Sequence, residues 1–482
     1  MKISMIINDE SFEYDVYGLV KAFFPEADVK KETEGENYVK TVTEDEKDAL
    51  LISVFCDIEG KSAKGEKRVS DNQRKEVKNT LKRLLYTALE EVTEKTLPWG
   101  TLTGIRPTKL ATALVEKNIS DDDIIKRLKE EYFISDKKAH LSLGIAHKEN
   151  EILKKIDYKN GYSLYVGIPF CPTTCLYCSF STFPIASWKD KVDLYLDALE
   201  KEMAASSGLM QNKKLQSIYI GGGTPTSLNE KQLLRVLEMT EKYFDTSAIL
   251  EWTLEAGRPD SLNKEKLEII KASKADRISI NPQTMNDETL KLIGRHHTSE
   301  DVAEKFELAK KCGIDNINTD IILGLPGEGK DELLYTLEEI KKLAPESLTV
   351  HSLAIKRAAR LAKDTEKYIN RAYDAEEAMQ LSGEAAFDMG MAPYYLYRQK
   401  NMTGNLENIG FSKEGKEGLY NILIMEEKQT ILACGAGSVT KVLNGAKPER
   451  IENVKDVNFY IGRIDEMIER KQRKLGISDI DN

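Results

Sequence analysis

Between Gly161 and about Ala354, short β-branched apolar segments alternate with longer amphipathic ones, the pattern of strand–helix units around a parallel sheet. Strands are predicted at Ser163–Ile168, Leu215–Ile220, Ile249–Glu255, Arg277–Asn281, Asn316–Ile322 and Leu348–Ser352. Six of them predict an α/β fold built on an open, partial (β/α)6 barrel. Between the strands, Leu233, Val236 and Leu237, then Val302, Phe306 and Ala309, recur at helical spacing and mark faces buried against the sheet. Gly313 follows Lys310, Lys311 and Cys312, so it reads as the glycine just past a helix end, with cations near the negative pole. On the third strand Leu250, Trp252 and Leu254 point one way, so Glu251, Thr253 and Glu255 point the other, toward the barrel interior.

The pattern changes on either side of this core. Residues 1–160 read as an α/β accessory domain, in which ALLISVFCDIEG is a strand ending in a glycine turn and a long charged helix carries Leu81, Leu84 and Leu85. Cys56 is expected as buried packing, and the basic run Lys61 to Arg83 as the solvated face of a helix. WGTLTGIRPTKL, dense in glycine and proline, predicts a shaped loop, a candidate lid over the barrel mouth. The barrel is expected over 161–360 and an α+β extension over 361–482, where Val457, Tyr460, Ile461, Ile464 and Ile468 draw one helical stripe.

Composition narrows the class. A chain of 482 residues has room for two or three domains and a substantial core. The sequence shows neither a secretory leader nor an apolar run long enough to span a bilayer, and six cysteines in so long a chain make no disulfide framework. A cytoplasmic location is expected. The formal charge of −10 argues against nucleic acid as a partner, because phosphate backbones reward a positive surface.

The chemistry lies in YVGIPFCPTTCLYCSF, where Cys171, Cys175 and Cys178 are set as Cys-x3-Cys-x2-Cys on one loop straight after a predicted strand. Three thiolates suit three irons of a [4Fe–4S] cluster and leave the fourth iron open to a small-molecule ligand. Zinc is the alternative, but structural zinc wants four protein ligands, and no second knuckle follows. Cys56, Cys312 and Cys434 are scattered singly, and none of the five histidines lies in the loop.

Tyr165 through Phe180 resembles the opening motif of radical S-adenosylmethionine (SAM) enzymes, with the oxygen-independent coproporphyrinogen oxidase family as the nearest match. The resemblance implies two cofactors, a [4Fe–4S] cluster and S-adenosyl-L-methionine, whose reductive cleavage gives a 5′-deoxyadenosyl radical that abstracts hydrogen. It also implies site residues. Cys171, Cys175 and Cys178 would be the metal ligands; Tyr165 would lie beside the nucleoside and Tyr177 on its adenine. Gly221-Gly222-Gly223-Thr224, after the second strand, resembles the family's methionine-binding motif, and glycines there let backbone approach a ligand closely. Glu255, Gln283 and Arg295 match cofactor-binding positions on the third and fourth strands, and Asp320 matches the aspartate of the family's Asp-Leu-Ile-Tyr-Gly-Leu-Pro stretch. His296 and His297 are read as solvent-facing and outside the site.

VGIPF, EAGRPD, NPQ and WGTLTGIRPTKL are similar to the HemZ-type coproporphyrinogen dehydrogenases within this family. The implied reaction is oxidative decarboxylation of two propionates of coproporphyrinogen III to vinyl groups, giving protoporphyrinogen IX, with an electron donor such as flavodoxin or ferredoxin. Candidate cations for the carboxylates of this tetrapyrrole are Lys356, Arg357, Lys400, Arg106 and, foremost, Arg398. Three departures bear on the substrate: Gly167 stands where the oxidases have histidine, their Pro-Arg-Tyr-Thr-Ser-Tyr-Pro-Thr segment is missing, and Asn281-Pro282-Gln283 replaces Gly-Val-Gln. A haem chaperone, or a radical methyltransferase or haem-degrading enzyme, is the alternative reading.

Overall fold

A computed structural model of the chain describes residues 1–32, 34–70, 73–104, 106–354, 359–363, 374–398, 406–443 and 448–476. The chain forms two units, one of residues 1–150 with 396–407 and one of residues 151–395 with 408–482. The first unit contains a five-stranded sheet, β1 (Lys2–Ile7), β2 (Asp28–Lys31), β3 (Tyr38–Glu46), β4 (Ala49–Ile58) and β5 (Lys61–Val69), ordered β2-β1-β3-β4-β5. Strict alternation along β4 buries Ile52, Val54, Cys56 and Ile58 against Leu81 and Leu85 of the helix Arg74–Thr93. Burial pushes the Cys56 thiol up to about 12, as expected of packing. The basic run is only half helical: Glu59 and Gly60, both at positive φ, turn the chain into the antiparallel strand β5 before the helix begins. A lysine-rich edge strand discourages pairing with another chain. The WGTLTGIRPTKL loop is tied down within this unit. Trp99 is buried and donates to Glu407 at 2.6 Å, and the same carboxylate accepts from Lys138 at 2.5 Å.

The second unit is organised by one eleven-stranded sheet. Its strands are β6 (Gly161–Ile168), β9 (Lys214–Gly222), β10 (Glu251–Glu255), β11 (Arg277–Ser279), β12 (Ile317–Leu323), β13 (Ser347–Ser352), β14 (Ala392–Tyr397), β15 (Asn408–Ser412), β16 (Thr430–Cys434), β17 (Val439–Val442) and β18 (Glu449–Glu452). β7 (Phe170–Cys171) and β8 (Phe183–Pro184) form a separate short pair. The order β14-β15-β13-β12-β11-β10-β9-β6-β16-β17-β18 places the six predicted strands side by side, and every neighbouring pair among them is parallel. The segment expected as a separate extension adds strands to both edges of this sheet, so barrel and extension form one unit. Helices Glu230–Tyr243 and Ser299–Lys311 bury the predicted faces, the second ending at Cys312 with Gly313 at φ 80°. The C-terminal stripe is split at Arg463 into helices Val457–Gly462 and Ile464–Leu475.

Alternation turns this sheet's polar face inward. Leu164, Val166, Ile218, Ile220, Trp252 and Leu254 are fully buried on the helix-covered face. On the other face Ser163 meets Ser217 at 2.7 Å, and Arg277 reaches across to Asn318 and Ser347, each at 3.0 Å. The Glu251 carboxylate accepts from Leu419 N and Tyr420 N, capping the helix Leu419–Glu426. Along five of the six parallel strands this inner face opens from buried to partly exposed: Ser163 to Tyr165, Ser217 to Tyr219, Glu251 to Glu255, Asn318 to Asp320, Thr349 to His351. The accessible end is the carboxyl end of the strands, where parallel barrels place their chemistry.

Candidate active site

The cysteine loop leaves β6 through Pro169 and is pinned on all sides by backbone. The β7–β8 pair closes its base, Leu176 N donates to Ile293 O at 2.9 Å, and Leu361 N donates to Leu176 O at 3.0 Å. Thr173 Oγ1 donates to Gly294 O at 3.0 Å and Arg360 to Thr174 O. Leu176 and Tyr177 lie on an apolar patch of Leu290, Ile293, Ile322, Leu325, Leu353 and Leu361, contributed by the strand ends and the segments that follow them. Tyr177 also lies beside the Arg295 guanidinium, which partly offsets the upward push of burial on its hydroxyl.

Cys171, Cys175 and Cys178 are free thiols close enough to influence one another electrostatically. Burial pushes Cys171 up to about 11 and Cys178 in the same direction, so ligation must displace protons. Among the described residues no group of three or more His, Cys, Asp or Glu side chains is gathered to hold one metal ion. A cluster needs no such convergence, since each thiolate takes its own iron. The surroundings fit an anionic group. Arg258 and Arg295 are both buried beside Cys175 with Asp260 as their carboxylate partner, which leaves one positive charge over, and buried charges require compensation. Arg295 Nε has no partner within the described chain. Thiolates carrying a [4Fe–4S] cluster would supply the missing negative charge.

The glycine run lies directly against this loop. Gly223 N donates to Ile168 O and Thr224 N to Phe170 O, both at 2.7 Å, and a Cβ on Gly223 would stand 2.5 Å from Phe170 O. Gly222 adopts φ 108°, which glycine tolerates and other residues rarely do. Thr224 Oγ1 faces Cys171 Sγ at 3.5 Å. The motif therefore brings its backbone and one hydroxyl to the cysteine loop.

Across the mouth, Tyr165, Tyr219 and Tyr420 stack with centroid separations of 6.2, 4.6 and 6.3 Å. Tyr219 donates to Glu255 Oε1 at 2.5 Å, and Gly222 N to Oε2 at 3.3 Å. Burial, aided by the nearby Asp320 charge, raises the Glu255 carboxyl to about 7 despite those donors. Asp320 behaves oppositely. Burial pushes it up, but His351, at 3.5 Å, and the donors Asn318 and Thr349 outweigh this and hold it below the usual aspartate value. At neutral pH Asp320 is thus ionised while Glu255 lies near its midpoint.

Gln283, at φ 71°, extends the β11–β12 pairing: its N–H donates to Asp320 O and its carbonyl accepts from Ile322 N. Arg295 donates to Asn281 O and also faces Cys175 and Tyr177. The structure so places Tyr165, Gly222, Gly223, Thr224, Glu255, Gln283, Arg295 and Asp320 around one barrel mouth, with Tyr177 and the cysteines above it.

Other expectations need correction. His297 is buried, not solvent-facing, and both ring nitrogens lack partners among the described residues; burial and Arg295 lower it to about 3, so it is neutral. His296 is exposed, as expected. Arg398, the foremost carboxylate-binding candidate, is buried in the first unit and donates to the carbonyls of Leu102 and Leu406. Lys356, Arg357 and Lys400 lie outside the described residues, and Arg106 is partly exposed. Sequence reasoning missed four mouth residues, Tyr219, Tyr420, His351 and Arg258. His351 had a signal, its place at the end of the sixth predicted strand, in phase with Thr349.

A parallel partial barrel with a three-cysteine loop and a glycine motif at its mouth defines the radical SAM class, and residues 165–340 match the Radical SAM superfamily. No helix among the described residues is long and apolar enough to cross a membrane. The fold is shared with coproporphyrinogen III oxidase (HemN) from Escherichia coli, at a TM-score of 0.53 and 22% identity over 66% of this chain and 73% of that one. The chain is 42% identical over 410 residues, 83% of its own length and 81% of the relative's, to the oxygen-independent coproporphyrinogen-III oxidase-like protein HemZ of Bacillus subtilis. It is also 40% identical to the heme chaperone HemW of B. subtilis over 194 residues, 40% of this chain and 50% of that one. The chain belongs to the HemZ-like family of radical SAM proteins, whose cofactors are a [4Fe–4S] cluster and S-adenosylmethionine.

Proposed function

We propose that this protein catalyses oxygen-independent oxidative decarboxylation of coproporphyrinogen III to protoporphyrinogen IX. The observation that carries this reading is the similarity to HemZ, 42% identity over 83% of the chain and reaching into both units, whereas the matches to HemW chaperones cover 40% of the chain at 40% identity and 62% at 30%. Each of two propionates would lose a hydrogen atom from the carbon next to the pyrrole ring, then carbon dioxide and one electron, the electron passing to an external one-electron acceptor, leaving a vinyl group. Bound cluster and S-adenosylmethionine supply the hydrogen-atom abstraction.

The chain's own residues provide placement. Cys171, Cys175 and Cys178 hold the cluster, and the open backbone of Gly222–Thr224 takes the amino end of the sulfonium ligand. Glu255, near its midpoint at neutral pH, and ionised Asp320 offer one adjustable and one fixed carboxylate to its amino and ribose groups. Gln283 and Arg295 complete the cofactor site. The stacked tyrosines line the mouth beside Glu255, which accepts from Tyr219. An external carrier such as flavodoxin or ferredoxin delivers the electron.

The 40% identity to a heme chaperone supports a second reading, haem binding and transfer. One anaerobic incubation separates the two. Reconstituted protein, reductant, S-adenosylmethionine and coproporphyrinogen III should yield protoporphyrinogen and 5′-deoxyadenosine; stoichiometric haem binding without product would favour the carrier.

A further inference from the structure

Arg258 enters the site from the bend after β10. Its guanidinium forks onto both oxygens of Asp260, at 2.9 and 2.6 Å, while Nη1 donates to Thr173 Oγ1 at 3.1 Å and faces Cys175 Sγ at 3.5 Å. With 3% of its surface exposed, the group has one orientation available, and the planar fork fixes it further.

The three thiols are not treated alike. Cys171 has the Thr224 hydroxyl at 3.5 Å, and Cys178 has the Thr182 hydroxyl at 4.0 Å with the backbone N–H of Phe180, all neutral groups. Among the described residues, Cys175 alone of the three receives guanidinium groups within hydrogen-bonding reach, those of Arg258 and Arg295. His297, close to both, is held neutral and adds no charge. Inside a protein such charges act more strongly than in water. Reduction adds one negative charge to a cluster, and a cation donating to a ligand sulfur favours the reduced state. The Asp260 carboxylate behind the guanidinium attenuates that effect.

We propose that Arg258, clamped by Asp260, is a positioning residue that raises the reduction potential of the cluster through Cys175 and so eases electron entry. The proposal rests on Cys171, Cys175 and Cys178 being the cluster ligands.

The test is an EPR-monitored redox titration, with dithionite as reductant, of full-length protein reconstituted anaerobically as wild type, R258K, R258Q and D260N. R258Q should be at least tenfold harder to reduce, about 59 mV for a one-electron couple. R258K, which keeps the charge, should recover most of this difference. D260N, which removes the attenuating carboxylate, should move the midpoint the other way. A scaffold role would lower iron content without ordering the midpoints by charge. Unmoved midpoints in R258Q and D260N, or shifts of one sign in both, would overturn the proposal; where R258Q loads no cluster, the sign for D260N decides. C175A tests the ligand assignment separately. Iron retained in C175A would remove that assignment, whereas iron lost there with unmoved midpoints elsewhere would remove only the role of Arg258.

Discussion

The inward face of the first unit's sheet carries Val39, Ile52, Val54 and Cys56, sealed under the helix Arg74–Thr93, while the inward face of the barrel carries Ser163, Glu251, Arg277 and Asn318. Both arise from the same two-residue alternation. The first arrangement gains from burying apolar surface; the second must pair each polar group it removes from water. The barrel's inner face ends at the candidate active site. Stability and chemistry are therefore separable by unit, and substitutions in each should show it.

The largest expected contrast is in cofactor content. C175A should abolish the brown absorbance of the cluster in the anaerobically reconstituted protein, whereas L85A, deep in the first unit's core, should leave iron content at the wild-type level. In denaturant unfolding the order reverses for L85A, which should cost about 2–5 kcal/mol through its cavity. K471M gives the corresponding loss in the barrel unit. It strands Glu202, a fully buried carboxylate that also accepts from Gly435 N, Asn453 and Tyr460, and should cost about 3–5 kcal/mol.

A smaller effect follows from Glu255. Its folded value of about 7 lies above its ordinary 4.5, so folding favours the protonated form. That contribution is fully present below pH 4.5 and is lost as pH rises through 7. E255Q, which stays neutral, should flatten the dependence of melting temperature on pH across this window and should melt a few degrees above wild type at pH 8, on the order expected for one to three kcal/mol. Superimposable pH profiles would show that Glu255 is solvated. The smallest effect belongs to the surface. K61A removes an exposed pair with Glu94, which solvent screens, and should leave the denaturant midpoint at the wild-type value.

The barrel strands were legible because alternation along a strand and helical spacing between strands are local patterns, and the cysteine loop and GGGTPT carried their chemistry in their spelling. Features fixed by distant segments were not. EAGRPD contains Arg258, but nothing in that stretch says its guanidinium will meet a thiol 83 residues earlier. The two adjacent histidines look polar, yet the turn after Gly294 sends His297 inward and His296 outward. Arg398 is by sequence the foremost candidate for a carboxylate contact, whereas it is buried and donates to the carbonyls of Leu102 and Leu406. β16 joins the sheet beside β6 from more than 260 residues away, so the extension could not be recognised as part of the barrel's own sheet.

The central claim is that three thiolates at the barrel mouth hold a cluster whose remaining iron takes S-adenosylmethionine. EPR spectra of the dithionite-reduced protein, recorded anaerobically with and without S-adenosylmethionine, test it most directly. A [4Fe–4S] signal whose g-values shift when the nucleoside is added is the predicted result. A spectrum unchanged by saturating nucleoside would contradict the account.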